Sequence, residues 1–426
     1  MFADIASFYP LLQILTIFAL MVLGVRLKLG LGLSVLIGSL VLALWSDMSV
    51  GQWAAASVGV FSDVTTVLVW CVVSLILALS SLMERTGQAE RFMYALSHRI
   101  KSPRIRLVFF PMLIGLLPMP GGAVFSAPLI RAVAQKLSVP EIGKSLINYW
   151  FRHVAEIAWP LFPAIILAAS IGGITVLQLV AYTCPLVLVF FGAGWFFLVR
   201  GLEFPPAADI LNPEISGDWG NVLHQGLPIF LALGGALALL GSIGFFLPGV
   251  RADYGMPVAL ACGIAACLLQ NGLKVTDFFR AVFQRHVLSM IFIIGALGVF
   301  KIIIDTSGMI DALMRMGSAD MALILAAVIL PLLVGLVTGL FLASVGITAP
   351  LLMALVPAGE SIVPWLALSL ASGLVGNMIS PLHICFVLSC EYFKVNFATS
   401  WKRLPAPTML FALVGGLYFF LTKQFF

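Results

Sequence analysis

The sequence predicts an all-α polytopic membrane protein made of two inverted repeats, each about five transmembrane helices plus one re-entrant hairpin. Three observations carry that expectation. First, hydrophobic residues make up 62% of the 426-residue chain and charged residues only 10%, whereas a soluble domain carries about 25% charged residues. Second, helix-breaking and turn-forming positions recur in register. Gly87 pairs with Gly308, Gly115 with Gly335, Ala127-Pro128-Leu129 with Ala349-Pro350-Leu351 and Pro160 with Pro381, at offsets of 221, 220, 222 and 221. Third, the basic residues alternate between loops in the manner of the positive-inside rule.

The spans follow from apolar runs of about 20 residues, the length that crosses a bilayer. Tyr9 to Val25, Leu29 to Trp45 and Val64 to Met83 are the first three. Met1 to Ser7 hold Asp4 and no Lys or Arg, which argues against a cleaved signal peptide. A basic amphipathic connector follows the third span, from Glu84 to Arg106. The run 107–134 is broken by Pro118-Met119-Pro120-Gly121-Gly122. Each arm is then about 11 or 12 residues, too short for a ~30 Å core at 1.5 Å per residue. Short arms around a Pro/Gly tip predict a re-entrant hairpin. The run 145–172 is a crossing interrupted around Glu156 to Pro163, and Thr175 to Val199 is a further span.

After a polar linker, 201–225, the plan repeats over 226–426. Gly226 to Leu247, Met256 to Leu269 and Val287 to Ile304 are spans, 321–355 is the second hairpin, 362–389 the second broken crossing, and Pro407 to Leu421 the last span. Five crossings per half is odd, so the second half enters the membrane upside down. With both termini outside, 18 basic residues fall on the cytoplasmic side and 4 outside, with Arg152 unassigned, out of 23. The expected home is therefore the inner membrane of a bacterium or archaeon, with residues 201–225 cytoplasmic.

Three stretches now carry a resemblance: Leu117-Pro118-Met119-Pro120-Gly121-Gly122-Ala123, Asn148-Tyr149-Trp150-Phe151-Arg152-His153 and Gly376-Asn377-Met378-Ile379-Ser380-Pro381. With the order of spans, hairpin and broken helix given twice, the chain resembles the ion transporter superfamily. That group includes divalent anion/sodium symporters, citrate transporters, gluconate permeases and the large subunit of tripartite periplasmic transporters. Within it, the chain looks like an uncharacterised membrane permease family. The resemblance implies an elevator-type homodimer with substrate between hairpin tips and broken helices. Dicarboxylate symporters of that group carry a Ser-Asn-Thr triplet at each tip, and this chain has none.

Interrupted helices leave backbone N–H and C=O groups unpaired inside the membrane, where half-helix ends suit ions and charged solutes. This points to Pro118, Pro120, Gly121, Gly122, Arg152, His153, Ser344, Gly346, Asn377, Ser380 and His383 as candidate substrate contacts. Arg152 or His153 would attract an anion. Ionisable groups within a span are costly and mark function, so Glu156 is a candidate for ion or proton coupling, with Thr338, Thr348 and Asn377 as further cation contacts. On a continuous helix Arg152 and Glu156 would form an i, i+4 pair.

The six cysteines all lie in apolar runs without metal-ligand spacing, and read as small buried hydrophobes. No Walker motif, His-Glu-x-x-His or nucleophile set points to an ATP-driven pump or an enzyme. The basic residues follow the loops rather than forming a patch, so no nucleic-acid partner is expected. The expectation is a secondary active transporter for a small anionic solute, with Na⁺ or H⁺ as coupling ion and no cofactor. A channel would use the same breaks, and so would the membrane subunit of a transporter served by a soluble binding protein. A membrane enzyme acting on lipid-linked substrate is a more distant alternative.

Overall fold

The computed structural model describes residues 9–97, 100, 102–116, 122–134, 139–202, 219–246, 250, 252–309, 323–357 and 359–425. Among these the chain is helical, without strands. Helices α1 (Tyr9–Arg26), α2 (Leu31–Trp45), α3 (Val50–Gly59) and α4 (Val64–Arg85) open the first half. Then come α5 (Gln88–Ser97), α6 (Pro103–Gly115), α7 (Ala123–Ala134), α8 (Glu141–Arg152), α9 (Pro163–Ile171) and α10 (Val176–Gly194). The second half has α11 (Trp219–Phe246), α12 (Gly255–Gln270), α13 (Val275–Val282), α14 (Arg285–Thr306), α15 (Leu330–Thr338), α16 (Phe341–Leu355), α17 (Ile362–Met378), α18 (Ile384–Tyr392), α19 (Phe397–Trp401) and α20 (Pro405–Thr422).

Five helices among the described residues are long and apolar enough to cross a bilayer: Val64–Arg85, Val176–Val199, Trp219–Ile243, Arg285–Thr306 and Phe397–Phe425. Large apolar side chains stand fully outward on this surface, for example Leu269 (83% exposed), Phe245 (78%) and Phe420 (77%). In water such a surface would be an aggregation hazard; in hydrocarbon it is solvated. The protein is a multi-pass integral membrane protein. Cys71, Cys184 and Cys262 also lie exposed on the protein surface, so only Cys267, Cys385 and Cys390 match the expectation of buried cysteines.

Local chemistry sets the helix ends. Asp63 caps α4 by accepting from the backbone N–H groups of Thr65 (3.3 Å) and Thr66 (2.9 Å). Ser49 and Gln52 form a capping box that starts α3, between the second and third apolar runs. The helix leading into α15 widens to π geometry over Leu325–Ile329, just before Pro331, whose missing N–H breaks the ordinary ladder.

The two halves pack on each other reciprocally. The third span of the first half, α4, packs on α12, the second span of the other; in turn α14 packs on α2. Within each half the first hairpin arm lies on the following helix, α6 on α8 and α15 on α17. The helices after the breaks cross over: α9 packs on α16, and α18 on α7. Backbones approach closely at two glycines. A Cβ on Gly115 would collide with the carbonyl oxygen of Arg152, and one on Gly335 with the carbonyl of Gly373. Small residues that let helix backbones touch are the usual glue of membrane interfaces.

Candidate functional site

Both broken crossings stop short of their prolines. Helix α8 ends at Arg152, and α9 begins at Pro163. Between them the chain turns tightly: the N–H groups of His153, Glu156 and Ala158 donate to the carbonyls of Trp150 (3.0 Å), His153 (3.2 Å) and Ala155 (3.0 Å). The break therefore falls at His153, earlier than the sequence places it, and Arg152 and Glu156 do not share a helical face as an i, i+4 pair. Glu156 instead lies 3.7 Å from His153 Nε2. The second break runs from Ile379 to His383. Ser380 fixes it by donating to the Leu336 carbonyl (2.7 Å) and accepting from the Leu382 N–H (3.2 Å). Trp401 Nε1 donates to the carbonyl of Ile379 (2.9 Å).

The two breaks meet at a cavity of about 200 Å³. Arg152, His153 and Glu156 line it from the first break, and Asn377, His383 and Cys385 from the second. Gly339 to Leu342, at the turn of the second hairpin, close another wall, and His286, Met290 and Ile293 come from α14. Three of the helices that line it begin here. Phe162, Leu340 and His383 occupy the N-cap positions of α9, α16 and α18, and none supplies a side-chain cap. The first N–H groups of a helix have no intrahelical partner. Three positive helix ends thus point at one cavity, beside the Arg152 guanidinium, a setting that favours negative charge.

Histidine geometry is fixed from behind. His153 Nδ1 lies 2.6 Å from the Tyr149 carbonyl, and His383 Nδ1 lies 3.2 Å from the Asn377 carbonyl. A carbonyl only accepts, so both Nδ1 atoms carry hydrogen. The two Nε2 atoms then face each other, 3.1 Å apart. Tyr149 Oη donates to the Met378 carbonyl (3.0 Å) and sits 3.3 Å from His383 Nδ1, so one tyrosine braces both sides of the second break. Glu156 Oε2 and Asn377 Oδ1 are buried without a hydrogen-bond partner among the described residues.

Several sequence candidates serve the scaffold around the cavity instead of its wall. Thr338 donates to the Val334 carbonyl (2.7 Å) and accepts from the Leu340 N–H (3.2 Å), closing the second hairpin turn. Gly339, next to it, has φ +65° and abuts the His383 backbone, where a side chain would not fit. Ser344 and Thr348 bond to carbonyls of their own helix, at Phe341 (2.8 Å) and Ser344 (2.6 Å). Gly346 faces Leu297 of α14. Gly122 makes room for the Arg152 guanidinium, and Gly373 for Ser344. Pro118, Pro120 and Gly121 lie outside the described residues.

Sequence reasoning missed three positions. Cys385, two residues past His383, lies in an apolar run and gave no signal. Tyr149 and Asn148 stood in a quoted motif but received no role. Asn148 ties three elements together. Its Oδ1 accepts from Ser126 of α7 (2.5 Å), and its Nδ2 donates to the Ala123 carbonyl (2.9 Å) and to Ser389 of α18 (2.9 Å).

The fold is similar to that in the crystal structure of the Alcanivorax borkumensis YdaH transporter. The TM-score is 0.58 over 87% of each chain, at 18% sequence identity, a level at which the likeness is one of fold. Comparison with curated proteins finds no match. The pattern of the family described as Protein of unknown function (DUF401) matches residues 9–208 and 249–421. Covering most of the sequence in two blocks, that match makes the chain a member of the DUF401 family.

Proposed function

We propose that this protein is a secondary active transporter for a small anionic solute, coupled to a Na⁺ or H⁺ gradient across the inner membrane. The observation that carries the reading is the convergence of three uncapped helix N-termini and Arg152 on one cavity at two helix breaks. Half-helix N-termini aimed at an anion are a recurrent device of transporters built from repeats. Glu156 Oε2 and Asn377 Oδ1, both buried acceptors at the cavity wall, offer oxygen contacts to a coupling cation. The fold likeness to a protein described as a transporter supports the same reading.

The halves act as inverted repeats of the ion transporter superfamily, with both chain termini outside. The reciprocal packing and the equivalent glycines support this. The hairpins and broken helices, α6 to α9 and α15 to α18, form a unit that slides as an elevator against a scaffold of α1, α2, α4, α11, α12 and α14. The Gly346–Leu297 contact lies on that sliding interface. The protein works as a homodimer through its scaffold.

Uptake into proteoliposomes with imposed Na⁺ or H⁺ gradients tests the proposal. Mono- and dicarboxylates, sulfate and phosphate form the panel. Gradient-dependent accumulation of one of them is expected; passive, gradient-blind flux of all of them would sink the carrier reading.

A further inference from the structure

The facing Nε2 atoms of His153 and His383 pose a chemical problem. Both Nδ1 hydrogens are committed to backbone carbonyls, so two nitrogen lone pairs point at each other across 3.1 Å in a buried place. Something positive belongs between them. The Cys385 sulfur shares the same space: the ligating atoms of His153, His383 and Cys385 all lie within 4.8 Å of one another. A Glu156 carboxylate oxygen is 3.7 Å from His153 Nε2.

We propose that His153, His383 and Cys385 hold a divalent transition-metal ion of the zinc class, with Glu156 at the fourth position. Tetrahedral zinc at 2.0–2.1 Å from each imidazole nitrogen separates two such nitrogens by about 3.3 Å, within a few tenths of an ångström of the distance found. The ligand set is the soft and borderline one that such metals select over Na⁺ or Mg²⁺. The outer shell fits as well. Metal-bound histidine usually donates its other N–H to a carbonyl or carboxylate, which fixes the tautomer, and both histidines do so here. A thiolate and a carboxylate would neutralise the two charges of the ion, which a buried site requires. Since α8 and α18 come from opposite halves, the ion would clamp the two breaks together at the wall of the cavity. The carrier reading needs no such ion, so this inference goes beyond it.

The test uses the full chain in detergent, stripped with a chelator, kept reduced and titrated with Co²⁺ alone. The expected result is one equivalent bound, with visible bands of tetrahedral cobalt and a near-ultraviolet thiolate-to-cobalt band. Cys385→Ser should remove the thiolate band and keep weaker visible bands. His153→Gln and His383→Gln should remove both, while His286→Gln, on the scaffold wall, should change neither. A thiolate band unaffected by Cys385→Ser overturns the proposal. So does a wild-type spectrum that stays that of hydrated cobalt, in which case a shared proton is what bridges the histidines. Zn²⁺ should also raise the melting temperature of the stripped wild-type protein, a readout independent of how the variants fold; no shift at saturating Zn²⁺ counts against the site. Neither measurement needs transport, so a protein that binds metal but moves no solute sinks the carrier reading alone.

Discussion

His153 and His383 are 230 residues apart in the chain, yet their Nε2 atoms stand 3.1 Å apart. Each sits at the broken end of a crossing from a different half, so this contact is where the halves read each other. Disturbing the packing that brings the breaks together should therefore cost stability and function at once.

Close backbone contact makes the first prediction. Gly115→Ala and Gly335→Ala should each destabilise the protein by about 1–3 kcal/mol, the usual cost of overpacking, because the added methyl meets rigid backbone. Gly416→Ala is the control, since open space surrounds it. Thermal unfolding in detergent measures the difference; equal melting temperatures for all three would refute the packing argument.

Arg152 provides the cationic head of the cavity. Arg152→Gln should raise the KM for an anionic solute by roughly 10–100-fold, the equivalent of the 1.5–3 kcal/mol of a hydrogen bond to a charged group. Arg152→Lys should retain part of the affinity, since it keeps charge but loses the planar fork. Initial rates of uptake into proteoliposomes read both. A KM unchanged by Arg152→Gln removes Arg152 from the binding site.

The Asn148 network gives a different kind of forecast. Asn148→Ala leaves the hydroxyls of Ser126 and Ser389 and the Ala123 carbonyl without this partner, all in a buried place. The loss should be on the order of 3 kcal/mol. Adding Ser126→Ala and Ser389→Ala should recover much of it, because removing all partners leaves fewer orphans. If the triple variant is as unstable as Asn148→Ala, the cost comes from packing rather than from unpaired polar groups.

Motion is testable at the Gly346–Leu297 contact. With Cys71, Cys184 and Cys262 replaced by serine, the pair Gly346→Cys and Leu297→Cys should form a disulfide on oxidation. The cross-link should stop solute uptake, and reductant should restore it. Full uptake by the cross-linked protein would exclude sliding at this interface.

Hydropathy and backbone sterics are written one residue at a time, and the sequence alone determined what depends on them. Long apolar runs had to be helices in lipid, since no other open structure satisfies its own backbone there. Pro160 and Pro381 announced interrupted helices, and both crossings are interrupted near them. Where α8 stops was decided by tertiary structure: the turn at His153 forms because its carbonyls and side chain find partners around it, seven residues ahead of the chain's own breaker at Pro160. Burial alone could not assign roles to polar groups either. Ser344 and Thr348 look like ligands on paper, and the fold has each donate its hydroxyl hydrogen to a carbonyl of its own helix. Cys385 looks like filler, but the fold sets its sulfur beside two imidazoles. Which face of a helix meets which neighbour depends on packing between segments hundreds of residues apart, and no local pattern encodes it.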